Sequence, residues 1–329
     1  MMSESHNVRI PVSARILGRA VPASGAALLL IYAVLALVAP LIFHASWISL
    51  LYLTLYFISL AAAWNFFSGF SGYINFGYVA FIGIGMYAGV IAYVDLKISV
   101  IASFIFGGLV SALFAALIGY PILRIRGAYF SIAMLAIAEG ARVLAGTEYL
   151  EPFTRGGSGI AVLAGDLVLQ YYAMLALTAA VVASSMLMAR SRFGLSLIAV
   201  REDEAAADGM GVNTTIVKLT AFIISAFFAG TAGAIHATFL HYIEPFAAFD
   251  IKYTMLPIIM AIFGGLGTVV GPVIGGLFLE LVSDYAWLHF GRMNVTLFGL
   301  VLMGLVLWMP DGVIVRLKEL GLLPKSRMI

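Results

Sequence analysis

Apolar runs about the length of a membrane crossing recur along most of this chain, separated by short polar stretches. The polar stretches fall at roughly 1–25, 146–170, 190–217, 241–253, 283–292 and 309–329. The remainder is about 200 residues, which at roughly 20 residues per spanning helix makes close to ten spans. The pattern predicts spans at 26–43, 47–67, 73–94, 98–120, 128–145, 171–188 and 219–240, two short runs at 254–263 and 268–282, and a last span at 293–308. The first run follows a tail carrying Arg9, Arg15 and Arg19. A signal peptide has the same order of parts but an apolar core of only about 7–15 residues, so a retained helix is expected.

Composition names the solvent. Of 329 residues, 63% are hydrophobic and 10% charged, against roughly 25% charged in an average soluble domain. Eighteen Lys+Arg and sixteen Asp+Glu cannot cover a wet surface of this size, so most of the surface faces lipid. No polar block is long enough for a soluble domain. The absence of cysteine excludes a disulfide scaffold. A net charge of +2 gives no basic face for nucleic acid.

The expected fold is an all-α polytopic membrane protein of about ten segments, some short or broken. A basic tail (1–25) leads into one transmembrane domain (26–308) with a cytoplasmic loop at 190–217, and a second basic tail (309–329) follows. Lys/Arg bias sets orientation. With the N-terminus inside, the inner segments collect the N-tail arginines, Arg124, Arg126, Arg190, Arg192, Arg201, Lys218 and the basic C-tail; the outer ones collect only Lys97, Arg155, Lys252 and Arg292. Both termini are then cytoplasmic, which needs an even number of crossings: 254–282 counts as two short segments, not one.

Thirty-four glycines need a reason in a helical protein. Lipid supplies no hydrophobic drive between helices, so small residues that let backbones approach carry the packing. Gly267, Gly271 and Gly275 recur every four residues, as do Ala226, Gly230 and Ala234, Gly85 with Gly89, and Gly107 with Ser111. Close helix crossings are expected there, or faces that slide. Two segments, 69–77 and 263–272, are too rich in glycine and polar groups for plain helix. Such backbone is tolerated in a bilayer only where protein or a watery cavity surrounds it, and broken helices recur at transport sites. Ser71, Asn75, Gly77, Gly264, Gly265 and Gly267 are therefore the candidates for a translocation path, with a purely structural hairpin as the alternative.

Other chemistry is missing. Gly83-Ile-Gly85 and Gly265-Leu-Gly267 lie in apolar runs with no βαβ context, and no phosphate-binding P-loop or H-E-x-x-H zinc motif occurs. No metal site and no catalytic triad is recognisable, so the chain reads as non-catalytic. His236 and His241 are expected at an interface. Glu139 and Arg142, three apart on one helix, form either a structural pair or a gate at the outer mouth. Glu280 is expected near a span end.

The most informative loop is Arg190-Ser-Arg-Phe-Gly-Leu-Ser-Leu-Ile-Ala-Val-Arg-Glu-Asp-Glu-Ala-Ala-Ala-Asp-Gly-Met-Gly-Val-Asn213. Glu202, Asp203 and Glu204 followed by three alanines read as the acidic first turn of a short helix, ended by Gly209 and Gly211. Such a helix suits a groove on a partner, or is an ordinary solvated connector.

From Arg201 to Asn213, and on through Lys218-Leu-Thr-Ala-Phe to Ala234, this loop resembles the coupling region of LivM-type permeases, membrane subunits of branched-chain amino acid ABC importers. Arg126-Gly-Ala-Tyr-Phe130, Gly156-Gly-Ser-Gly-Ile160, the run from Gly72 to Gly85 and Phe263-Gly-Gly-Leu-Gly-Thr-Val-Val-Gly-Pro272 are similar to the same family in the same order. The resemblance covers about residues 50–310. One departure is Met210, which stands where the general importer signature has glycine, flanked by Gly209 and Gly211. The resemblance implies a subunit of the bacterial inner membrane working by alternating access. It further implies a LivH-type second permease, two cytoplasmic ATPases that bind ATP and magnesium, and a soluble substrate-binding protein. Arg201, Glu202, Glu204, Ala205, Ala206 and Gly211 then form the ATPase-coupling loop. The alternatives are a permease of the same family for urea, amides, other amino acids or aromatic acids, and, from another class, a stand-alone secondary carrier or channel.

Overall fold

A computed structural model describes residues 39–40, 44–162, 166–290 and 299. The expected spans 26–43 and 293–308 and both basic tails lie outside the described residues, apart from Ala39, Pro40 and Gly299. From His44 onward the described residues are mostly helical. Helix α1 (Ala45–Trp64) runs on through a π-helical turn, Asn65–Gly69. Then come α2 (Val79–Val94), α3 (Val100–Ile122), α4 (Ala128–Ala145), α5 (Leu167–Arg190), α6 (Arg192–Glu202), α7 (Glu204–Gly209), α8 (Thr214–Leu240), α9 (Lys252–Gly264) and α10 (Gly271–Phe290). Among the described residues six helices are long and apolar enough to cross a membrane, and α2 is a shorter apolar helix.

The centre of the bundle is the trio α2, α3 and α8, held by small residues. A methyl group placed on Gly85 would lie 2.2 Å from the Gly230 carbonyl oxygen, one on Gly89 would lie 2.6 Å from the Ala234 Cβ, and one on Gly230 would lie 2.2 Å from the Ser111 Oγ. Ser111 Oγ donates across to the Phe81 carbonyl at 2.8 Å. The four-residue spacings read in the sequence at Gly85/Gly89, Gly107/Ser111 and Ala226/Gly230/Ala234 are thus faces of direct backbone contact. The third stripe is only partly so. Gly271 and Gly275 press α10 onto Gly264, Gly265 and the Met260 carbonyl, but Gly267 lies in the preceding turn with φ +73° and belongs to no helix face.

Two sequence boundaries move, and one residue changes place. The run at 73–94 is helical only from Val79. The run at 268–282 extends as helix to Phe290, because Asp284 and His289 are tolerated on a continuing turn; Glu280 therefore sits at the middle of α10, not near an end, and is buried. His236 is not interfacial: it is buried in α8, stacked on Tyr56 and within 3.3 Å of both the Tyr52 and Tyr253 hydroxyls. Between α9 and α10 the chain turns back at residues 265–270, so 254–282 forms two helices, as the pattern predicted.

The linkers sort to two ends. At one end Arg124 and Arg126, the segment 191–213 and Lys218 come together, linked by bonds from Lys218 to Leu123 and Glu204. At the other, a two-residue antiparallel ladder pairs β1 (Ile160–Ala161) with β2 (Tyr242–Ile243), and Arg155 reaches Asp95 at 3.5 Å. Gly156 and Gly159, both at positive φ, make the turns that bring β1 to its partner.

Candidate functional site

At the basic end two interrupted helices meet. The first break follows α1. Gly69 closes the π-turn where a Cβ would lie 1.9 Å from the Asn65 Oδ1, and Gly72 turns the chain at φ +77°. Single π-turns inside helices often mark functional positions. The non-helical backbone that follows is satisfied internally. Trp64 Nε1 donates to the Asn75 carbonyl (2.9 Å), Ser131 Oγ to the Ile74 carbonyl (2.6 Å), and Gly77 N to the Asn75 Oδ1 (2.9 Å). Ser71 Oγ accepts from Tyr73 N at 3.3 Å. Gly77 lies so close to α4 that a Cβ would meet the Met134 carbonyl oxygen at 1.9 Å.

The second break is the α9–α10 turn. Gly265 (φ +128°) and Gly267 (φ +73°) bend it, and Thr268 Oγ1 both donates to the Gly265 carbonyl (2.8 Å) and accepts from Gly271 N (3.0 Å). One side chain stitches the two breaks together: the Asn65 amide donates to the Thr268 carbonyl at 2.8 Å and accepts from Gly267 N at 2.9 Å.

The linker from α5 to α8 folds over this junction. Ser191 caps α6 through Gly194 N. Asp203 is extended and caps α7, accepting from Ala205 N (2.9 Å) and Ala206 N (3.0 Å), as carboxylates do at helix starts. Gly211 at φ +85° follows the C-terminus, the usual left-handed stop. The acidic first turn and glycine stop expected from the sequence are therefore present, but as two helices with an elbow at Asp203. Glu202, Ala205, Ala206, Met210 and Gly211 are exposed, whereas Ala207 is buried.

Arg201 and Glu204, on either side of the elbow, bond back to the bundle, Glu204 half-buried and Arg201 exposed overall. Arg201 Nη1 donates to the Gly69 carbonyl at 2.7 Å, and a Cβ on Gly267 would lie 2.6 Å from the same nitrogen. Glu204 accepts from the Tyr73 hydroxyl (2.6 Å) and from Lys218 Nζ (2.7 Å), with Arg126 at 3.5 Å. Lys218 also donates to the Tyr73 oxygen and the Leu123 carbonyl, both at 3.0 Å, and lies over the Tyr73 ring. Burial pushes the Glu204 carboxyl up, but the hydrogen bonds from Lys218 and Tyr73 and the charges of Lys218 and Arg126 outweigh it and hold the group below its ordinary 4.5.

An open cleft of about 770 Å³ lies beside this network. Ser71, Tyr73 and Ile74 of the first break, Arg126, Ser131 and Ile132 of the α4 side, and Arg201, Glu204 and Ala205 of the elbow line it. The two sets of residues picked from the sequence, one for coupling and one for a path, thus adjoin. Ser71, Arg201, Glu204 and Ala205 border the cleft; Asn75, Gly77 and Gly264 are buried in the framework behind it. Sequence reasoning missed Asn65, Tyr73 and Lys218 as working residues. The only signal for Asn65 was an amide inside an apolar run.

Elsewhere, Arg142 pairs with Glu139 through two contacts and lies 4.7 Å from the Phe246 ring centre, which fastens α4 to the far linker. Among the described residues no group of three or more His, Asp or Glu could hold a metal ion.

The profile of the family described as "Branched-chain amino acid transport system / permease component" matches residues 46–309. The chain is 26% identical to the high-affinity branched-chain amino acid permease protein LivM of Escherichia coli K12, over 85% of this chain and 73% of that one. It is 27% identical to LivM of Salmonella typhimurium, over 80% and 68%, and 32% identical to LivH of E. coli K12 over 45% and 46%. No solved structure matches it. A bundle of apolar helices with two satisfied breaks under a folded linker, matched along most of its length, places this multi-pass protein of the bacterial inner membrane in the permease-component family of branched-chain amino acid transport systems.

Proposed function

We propose that this chain is one of two permease halves of an ATP-driven importer, carrying branched-chain amino acids that a soluble binding protein delivers to the outer face. The second half is a LivH-type permease. Two cytoplasmic ATPases, which hold ATP and magnesium, dock on the exposed face of α6 and α7. The chain crosses the membrane ten times with both termini in the cytoplasm, so the end bearing Arg124, Arg126 and Arg201 is the inner one.

The observation that carries this reading is the linker between α5 and α8. It presents Glu202, Ala205, Ala206 and Met210 to solvent while its elbow is bonded to backbone at a helix break. That is the construction expected of a lever pushed from the cytoplasm. The cleft beside it, with Ser71 on its wall, forms the inner end of the path; Asn75, Gly77, Gly264, Gly265 and Gly267 shape the backbone behind it.

The test is reconstitution of the chain with its second permease, the ATPases and the binding protein in vesicles. Leucine uptake should require ATP and all partners. Uptake by this chain alone would leave a stand-alone carrier as the reading.

A further inference from the structure

Glu204 is the acid on which a docking helix would be expected to meet its partner, yet both of its oxygens are committed inside the protein. Oε1 takes Lys218 and Oε2 takes Tyr73. The Glu204 side chain is 13% exposed and that of Lys218 is 3% exposed. An ammonium has three protons to give, and Lys218 gives to three acceptors: Glu204, the Tyr73 oxygen and the Leu123 carbonyl. Each Glu204 oxygen thus already holds an internal donor, and the Lys218 ammonium has no proton left to give.

Three residues earlier, across the Asp203 elbow, Arg201 is bonded to the last carbonyl of the π-turn and touches the α9–α10 turn at Gly267. Asn65 joins those same two segments from behind. The elbow is therefore fixed at two points, Glu204 to the start of α8 and to Tyr73, and Arg201 to the Gly69 carbonyl at the first break, close beside Gly267 of the second.

We propose that Arg201 and the Glu204–Lys218 pair are positioning residues that transmit movement of α6 and α7 to the two helix breaks, and that Glu204 does not contact the ATPase. The proposal rests on the importer reading for the source of the movement. Contact with the ATPase falls to Ala205, Ala206 and Met210; the elbow does the pulling. Charge-assisted bonds suit this task because they are short and directional, and the Gly69 carbonyl they hold sits at the end of a widened turn that can rewind.

The test uses the full reconstituted complex with Glu204→Gln, Lys218→Met, the double variant, Arg201→Gln and Arg201→Lys. Each of Glu204→Gln, Lys218→Met and Arg201→Gln should keep its ATPases bound and hydrolysing while leucine moved per ATP falls about tenfold, the scale of a coupling free energy. The double variant should be no worse than either single change, as expected for two halves of one contact. Arg201→Lys should recover part of the ratio. If Glu204→Gln sheds the ATPases while Lys218→Met transports normally, Glu204 is a docking contact and the proposal is overturned. Normal transport per ATP in all variants overturns it too. A wild-type complex that moves no leucine counts against the proposed solute, not against the anchor. Hydrogen exchange on the purified protein then decides: amides at 73–78 and 265–270 should exchange faster in Arg201→Gln and Glu204→Gln, and unchanged exchange removes the anchor.

Discussion

Glycine does opposite things in the two halves of this bundle. Where α2, α3 and α8 cross, it sits inside regular helix and removes bulk: Gly85, Gly89 and Gly230 let backbones touch. At the basic end, Gly72, Gly265 and Gly267 sit outside helix and supply positive φ, and hydrogen bonds from Asn65, Thr268 and Arg201 hold the result. The first region is stiff because steric contact is all-or-none at these distances. The second is held by a few directional bonds, each of which can be exchanged. A moving part belongs in the second.

The comparison can be broken most severely at its stiff member. Gly85→Leu should place a side chain into the Gly230 backbone and cost roughly 3 kcal/mol, read as loss of monodisperse protein and a lower melting temperature in detergent. Next, Asn65→Leu should strand the Gly267 N–H and the Thr268 carbonyl, at about 1–3 kcal/mol for each unsatisfied group. Melting should drop on a scale comparable to Gly85→Leu, and leucine uptake should drop as far. A smaller effect is expected from pH. Glu204 is held below 4.5, so its contribution is complete above the ordinary carboxylate value and is lost as pH falls through the lowered one. Exchange at 73–78 should be pH-independent from 6 to 8 after correction for the intrinsic rate and accelerate only below about pH 4.5, an acceleration absent in Glu204→Gln. The smallest effect is expected from Glu139→Gln, because that pair lies within a single helix and is largely exposed, and exposed pairs contribute little. A large loss of uptake there would mark the far end of α4 as a gate.

The contrast also explains what the sequence could say. Apolar run length located the helices, and four-residue spacing located the α2–α3–α8 contacts, because both are local periodicities. Glycine-rich interruptions marked the two breaks for the same reason. What holds the breaks was illegible. Tyr73 and Glu204 are 131 positions apart, and Asn65 and Thr268 are 203 apart, and no spacing rule links them. The orientation of Glu204 depends on which donors stand beneath it, so an acid on a short polar helix read as outward-facing. Polar residues also misled in the opposite sense at the end of α10, where Asp284 and His289 suggested a loop and the helix continues.

The two-residue ladder between Ile160–Ala161 and Tyr242–Ile243 has a consequence for the far side of the bundle. It welds the linker leading towards α5 to the linker leaving α8, so those connections form one plate and not two independent flaps. Any load applied to that plate reaches both helices in a single stroke, and α8 carries Lys218 at its opposite extremity.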